Sequence, residues 1–207
     1  MVYNMTDAIV KTLLSTYNAS LLDDDLKLVY INNLFTDVEC DHLIGLAYKI
    51  SFNASLTTDG KSKDRTSHSA YIPKNYDKTV QDVSERIAKL CDKKATCIEQ
   101  LQVVKYEIGE QFAAHCDYFS EPYIKKMGWS LGGQRQFTFF VYLNTVDRGG
   151  ETEFTTVGLE FKPNKGHAIF WENCKDPKIG NIRSMHRGKP PLSNLKFGLN
   201  IWISFDQ

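Results

Sequence analysis

The sequence carries no surplus of either charge: 25 Lys and Arg balance 25 Asp and Glu across 207 residues. Nucleic-acid binders usually show a basic excess, so that class of partner is not expected. No apolar run approaches the ~18–20 residues a membrane span needs. Met1 to Leu14 includes Asp7 and Lys11 and lacks a continuous apolar stretch, so it does not read as a signal peptide. Cysteine is sparse and irregular. Cys40, Cys91, Cys97, Cys116 and Cys174 contain no CxxC pair, which leaves a zinc knuckle or dithiol motif without support. A Cys91–Cys97 bridge is conceivable, but reduced thiols in a cytoplasmic setting are the simpler expectation. Neither Gly nor Pro is in excess, and no repeat or linker divides the chain. A single domain over 1–207 is expected, long enough to bury most of the surface its unfolded form exposes.

Hydrophobic periodicity divides that domain into two halves of different character. Ile9, Val10, Leu13, Leu14 and Tyr17 share one helical stripe. Thr36-Asp37-Val38-Glu39 has the form of a capping box ahead of Leu43, Ile44, Ala47 and Ile50. Val80, Val83, Ile87 and Leu90 predict a third helix, with Asn75 or Asp77 as its cap. From about residue 99 onward the pattern changes to short runs rich in Val, Ile, Phe, Tyr and Trp. Leu101–Ile108, Gln136–Leu143, His167–Trp171 and Phe197–Phe205 have strand lengths, and Gly- and Pro-containing turns separate them. Helices mainly in 1–95 and strands mainly in 96–207 predict an α+β fold, an antiparallel jelly roll supported by helices. Gly149-Gly150 reads as a tight turn that needs unusual backbone angles.

His115-Cys116-Asp117 is the first pattern with chemical content. Residues i and i+2 of an extended segment project to the same side, so this imidazole and carboxylate can converge on one ion. A lone His-x-Asp is more often a solvated surface pair, and His186 alone is more often an ordinary polar residue. Together, two histidines and a carboxylate form a facial triad that leaves three positions open on an octahedral iron. Lys196 adds weight, because it opens the apolar run Phe197–Ile203. A cation entering a buried strand costs several kcal/mol unless it is paired or snorkels to the surface, and a dicarboxylate ligand would pair it.

In order along the chain stand Tyr106-x-x-Gly109-x-x-Phe112-x-x-His115-x-Asp117, Gly132-Gly133-Gln134-Arg135, Tyr142-Leu143-Asn144, Gly149-Gly150-Glu151-Thr152, His186 and Lys196. This series resembles the prolyl 4-hydroxylases, specifically the catalytic domain of the collagen, plant and algal type. The resemblance runs from about Arg65 to Trp202. It implies a double-stranded β-helix that holds Fe(II) through His115, Asp117 and His186. It implies 2-oxoglutarate chelating that iron, with its distal carboxylate on Lys196 and the hydroxyls of Tyr106 and Thr152. O2 would be the oxidant, ascorbate the reductant, and peptidyl proline the substrate, hydroxylated at C4 with succinate and CO2 as co-products. Related hydroxylases and demethylases generally have Arg where Lys196 stands. By the same resemblance Arg65, Ser67, Glu99, Arg135 and Trp202 fall on peptide-contacting positions, for a partner that is a proline-containing, proline-rich or collagen-like chain. Two residues depart from the pattern: Phe112 stands where those relatives usually have Tyr, and Ser204 where they often have His. An oxygenase of the same superfamily acting on another side chain or a small molecule is the alternative reading. A binding module that keeps the fold without turnover is a third.

Overall fold

The computed structural model describes residues 5–57, 63–127 and 133–205. Gly132 of the Gly-Gly-Gln-Arg motif lies outside the described residues. Helices α1 (Met5–Thr16), α2 (Asp37–Ile50) and α3 (Lys78–Leu90) form where the periodicity places them. Thr36 caps α2 with the reciprocal Thr36–Glu39 bonds of a capping box, and the Asp77 carboxylate accepts from the Val80 amide to open α3. A fourth, short helix, α4, spans Glu121–Met127. Among the described residues no helix is long and apolar enough to cross a membrane, and the five cysteines are free thiols.

The front third is less purely helical than its periodicity suggests. It also supplies β1 (Ala19–Asp23), β2 (Leu28–Ile31), β3 (Asn53–Ala54) and β4 (His68–Ile72). These strands are short; β2 and β4 are fixed by pairing with the later β10 and β5, which local patterning does not reveal, and β1 and β3 add to them at the sheet edges. The strands that follow are β5 (Leu101–Tyr106), β6 (Phe112–His115), β7 (Arg135–Tyr142), β8 (Thr152–Phe154), β9 (Leu159–Phe161), β10 (Ala168–Glu172), β11 (His186–Gly188) and β12 (Lys196–Ser204). They build an eight-stranded sheet in the order β1-β2-β10-β7-β12-β5-β4-β3 and a four-stranded sheet in the order β6-β11-β8-β9. Every ladder is antiparallel. Two such sheets packed face to face form the jelly roll.

Strand alternation decides what each face of the large sheet does. On the outer face Leu101, Val103, Phe137, Phe139, Val141, Phe170, Leu199, Ile201 and Ile203 merge with the apolar stripes of α1, α2 and α3 into one dry core. On the inner face a smaller apolar cluster, with Phe140, Tyr142 and Trp171 against Phe154 and Phe161, holds the two sheets together. The remaining inner positions belong to polar side chains: Gln102 and Tyr106 on β5, Thr138 on β7, and Lys196, Asn200 and Trp202 on β12.

The Gly149-Gly150 turn has the expected positive φ values, +72° and +76°. A Cβ on Gly149 would lie 2.4 Å from the Pro190 carbonyl oxygen, whereas one on Gly109 (φ +87°) would meet nothing within 4 Å. Gly109→Ala should therefore cost about 1 kcal/mol through backbone strain alone, and Gly149→Ala about 3 kcal/mol because overpacking adds to the strain. Urea denaturation of the two variants checks the difference.

Candidate active site

The small sheet brings the three predicted metal ligands together. β11 pairs with β6 so that His186 stands opposite His115, and their ring centroids are 4.3 Å apart. Asp117 follows β6 by two residues and turns inward. One potential ligand atom from each residue lies within 4.8 Å of the others. Asp117 Oδ1 is 3.6 Å from His115 Nε2 and 3.9 Å from His186 Nε2. That spacing is too long for direct hydrogen bonds and leaves room for an ion between them.

Hydrogen bonds fix which ring nitrogens face that space. His115 Nδ1 donates to Ala113 O (2.9 Å) and His186 Nδ1 to Ser184 O (2.8 Å). A carbonyl can only accept, so the proton sits on Nδ1 and the Nε2 lone pair points at the ion site. Burial, with the charge of His115, pushes His186 down to about 4, so the ring is neutral at pH 7. Burial would raise the Asp117 carboxyl, but its electrostatic interactions with His115, His186 and Arg135 outweigh burial and hold the group well below the usual range. Asp117 is thus an anion at any working pH. Two imidazoles that turn Nε2 to the ion site and one carboxylate match the donor set that non-haem Fe(II) takes.

Lys196 stands on the wall of the same cavity, about 550 Å³ in volume. It is 1% exposed and pairs across the sheet with Tyr106. Its ammonium faces the rings of Tyr106, Phe140 and Tyr142 at 5.1, 5.4 and 5.7 Å. Among the described residues no carboxylate lies within ion-pair distance of it. Burial pulls the ammonium down to about 7, with Glu151 opposing only weakly. Thr152, also in the wall, has a buried hydroxyl with no hydrogen-bond partner; the Tyr142 hydroxyl donates to Phe161 O (3.0 Å). An unpaired buried cation beside an unused hydroxyl is costly in an empty protein and is what an anionic ligand would satisfy.

The predicted peptide-contacting residues have more varied placements. Glu99, Arg135, Trp202 and Arg65 line the cavity, and Ser67 does not. Arg135 forms a two-pronged pair with Glu99 (2.7 and 2.8 Å), lies 3.5 Å over the Trp202 ring, and donates to the Asp117 carbonyl at 3.3 Å. Trp202 turns its indole N–H onto Asp117 Oδ2 (3.0 Å). Arg65 is buried, with its guanidinium 4.4 Å over the Phe112 ring and donating to Ser67 Oγ and Leu56 O. Phe112 in turn stacks on His115 at 3.6 Å. Ser204 is buried and its hydroxyl has no partner. Sequence reasoning missed Thr138, which donates to Asp117 Oδ2 at 2.8 Å, and the Tyr71–Gln102–Asn200 row at the cavity mouth. Inward alternation on β7, β5 and β12 was the only signal for either.

The family model of the 2OG-Fe(II) oxygenase superfamily matches residues 101–204. The chain belongs to that superfamily. The chain is 31% identical over 198 residues to Prolyl 4-hydroxylase 2 of Arabidopsis thaliana, an alignment covering 83% of this chain and 64% of that relative, so it spans under two thirds of that relative's length. Among solved structures it is similar to the viral collagen prolyl hydroxylase of Paramecium Bursaria Chlorella virus-1 in its 2OG complex, with a TM-score of 0.69 and 25% identity, covering 85% of this chain and 94% of that one. A prolyl hydroxylase from Trichoplax adhaerens, solved with a hypoxia inducible factor peptide, shares the fold at a TM-score of 0.66 and 16% identity, covering 97% and 89%. Enzymes of this superfamily work with Fe(II), 2-oxoglutarate and O2, and the His-Asp-His set fits the iron.

Were Lys196 to hold a dicarboxylate, its lowered ammonium would make that binding pH-dependent. Below pH 7 the lysine is already charged, and affinity should be flat. Above it, binding a dicarboxylate must take up a proton, so 2-oxoglutarate affinity should fall by up to about tenfold per pH unit. Calorimetric titration between pH 6 and 9, in buffers of different ionisation heat, reads both the slope and the proton uptake.

Proposed function

We propose that this oxygenase hydroxylates peptidyl proline at C4 in a single domain spanning 1–207, using Fe(II), 2-oxoglutarate and O2 with ascorbate as reductant. The observation that carries the reading is one cavity holding a facial His-Asp-His set, an unpaired buried lysine and an aromatic mouth. His115, Asp117 and His186 hold iron on one flank and leave three positions free. Lys196 neutralises the distal carboxylate of 2-oxoglutarate, and Thr152 and Tyr106 supply hydroxyls to it. When bound, the iron and 2-oxoglutarate supply the oxidation, which yields succinate and CO2. The chain's own work is to orient the ligands, exclude water and fix the C–H bond.

The mouth suits an extended proline-containing strand. Trp202, Phe119, Tyr118 and Tyr123 offer aromatic faces to proline rings, while Asn200, held by Gln102 through one amide hydrogen, has a second to offer a peptide carbonyl. A proline-rich or collagen-like substrate enters already in the polyproline II form, which lowers the ordering cost. Arg65, Ser67, Glu99 and Arg135 shape this groove through their mutual contacts. Phe112 and Ser204, which lack the hydroxyl and imidazole usual in the relatives, favour a second reading in which another side chain or a small molecule is oxidised.

Incubation with (Pro-Pro-Gly) repeats and poly-proline peptides, read by mass spectrometry, should show one added oxygen per modified proline. Turnover of 2-oxoglutarate with no oxygen on any peptide would move the assignment to the second reading. His186→Ala should abolish turnover. Lys196→Ala should raise the KM for 2-oxoglutarate by about 100-fold, the loss of a charge-assisted contact of roughly 3 kcal/mol. A normal KM in that variant would remove Lys196 from the anchor.

A further inference from the structure

Three residues outside every motif form a hydrogen-bonded line that ends on Asp117. Trp171 Nε1 donates to Asn173 Oδ1, Asn173 Nδ2 donates to Thr138 Oγ1, and Thr138 Oγ1 donates to Asp117 Oδ2, each at 2.8 Å. Trp171, Asn173 and Thr138 are all fully buried. Trp171 and Thr138 face one another across the β10–β7 ladder, and Trp202 faces Thr138 across β12–β7. The Asn173 backbone is held as well: its amide donates to Gln136 O (2.8 Å) and its carbonyl accepts from Asn181 N (2.7 Å).

The direction of this line follows from its first member. An indole N–H can only donate, so the Asn173 amide must present its oxygen to Trp171 and its NH2 to Thr138. The Thr138 oxygen is then occupied as an acceptor, and its proton is directed to Asp117. Trp202 supplies a second indole donor to the same Oδ2 at 3.0 Å. Two donors use the two in-plane lone pairs of Oδ2, while Oδ1 alone faces His115 and His186. Each link is fully desolvated, so a broken one leaves an uncompensated polar group.

We infer that Trp171, Asn173 and Thr138, with Trp202, are positioning residues that make Asp117 a one-oxygen ligand. A carboxylate free to rotate can bind a metal through both oxygens. Here that would take one of the three positions the co-substrate and O2 need. The line therefore keeps a coordination site open by occupying the second oxygen. The inference rests on the reading that Asp117, His115 and His186 hold the metal.

Cobalt(II) titration of the purified protein, without co-substrate and followed by visible absorption, tests both statements separately. The wild type should bind one Co(II), and His186→Ala should lose it. Absence of binding in the wild type, or unchanged binding in His186→Ala, would sink the triad and this inference with it. Given a His186-dependent site, Thr138→Val should weaken Co(II) binding by about 10–100-fold and change the shape of the absorption band. Thr138→Ser, which keeps the hydroxyl, should restore both. If Thr138→Val does not fold, Trp171→Phe keeps an aromatic ring but removes the indole N–H, frees the amide to turn over, and should shift affinity and band in the same direction by a smaller factor. Wild-type affinity and band shape in Thr138→Val, or in Trp171→Phe where only that variant folds, would overturn the inference while leaving the triad intact.

Discussion

Everything chemical in this protein depends on a β-sheet whose two faces are treated in opposite ways. The outer face is sealed by three helices and contains apolar side chains in almost every inward position. That core makes the sheet rigid without help from its other side. The inner face can then carry Lys196, Thr138, Gln102 and Asn200 on strands that would otherwise be dry. Because the side-chain period of a strand is two, one residue of slip in β12 would send Lys196 and Trp202 into the helical core and Phe197 and Ile201 into the cavity. Register is thus the common requirement of stability and chemistry.

The site contains one buried anion and one buried cation, and the protein treats them differently. Asp117 is paired in advance, with two neutral donors on one oxygen and two histidines facing the other. Lys196 has rings around it and a hydroxyl left over nearby, an arrangement that tolerates the ammonium without stabilising it. On the proposed function, the first suits a metal that stays and the second a dicarboxylate that enters and leaves. The difference in preorganisation would then follow the difference between a resident ion and a consumed co-substrate.

Residues whose charge or pattern asks for a partner were legible in the sequence, and residues that are ordinary taken one at a time were not. His115, Asp117, His186 and Lys196 stand out because a buried charge or a His-x-Asp pair needs explanation wherever it occurs. Thr138 and Asn173 are ordinary residues whose meaning arises from cross-strand register, which local periodicity does not encode. The long strands β5, β7, β10 and β12 were recognisable from composition, while β2 takes its place from a partner about 140 residues away, as when Ile169 pairs Tyr30. Trp202 has a role its motif position did not suggest, since its N–H turns inward to Asp117 instead of toward the groove.

The Arg135 guanidinium sits between Phe119 and Trp202, grips Glu99, and touches the Asp117 carbonyl. One side chain therefore belongs to the groove wall and to the support of the metal loop. This limits how the protein can diversify. Replacing Arg135 to suit a new substrate also disturbs the residue least able to move. Groove positions such as Leu56 and Tyr123, whose side chains have no tie to Asp117, can change without that penalty, and substrate preference can drift there while the chemistry stays fixed.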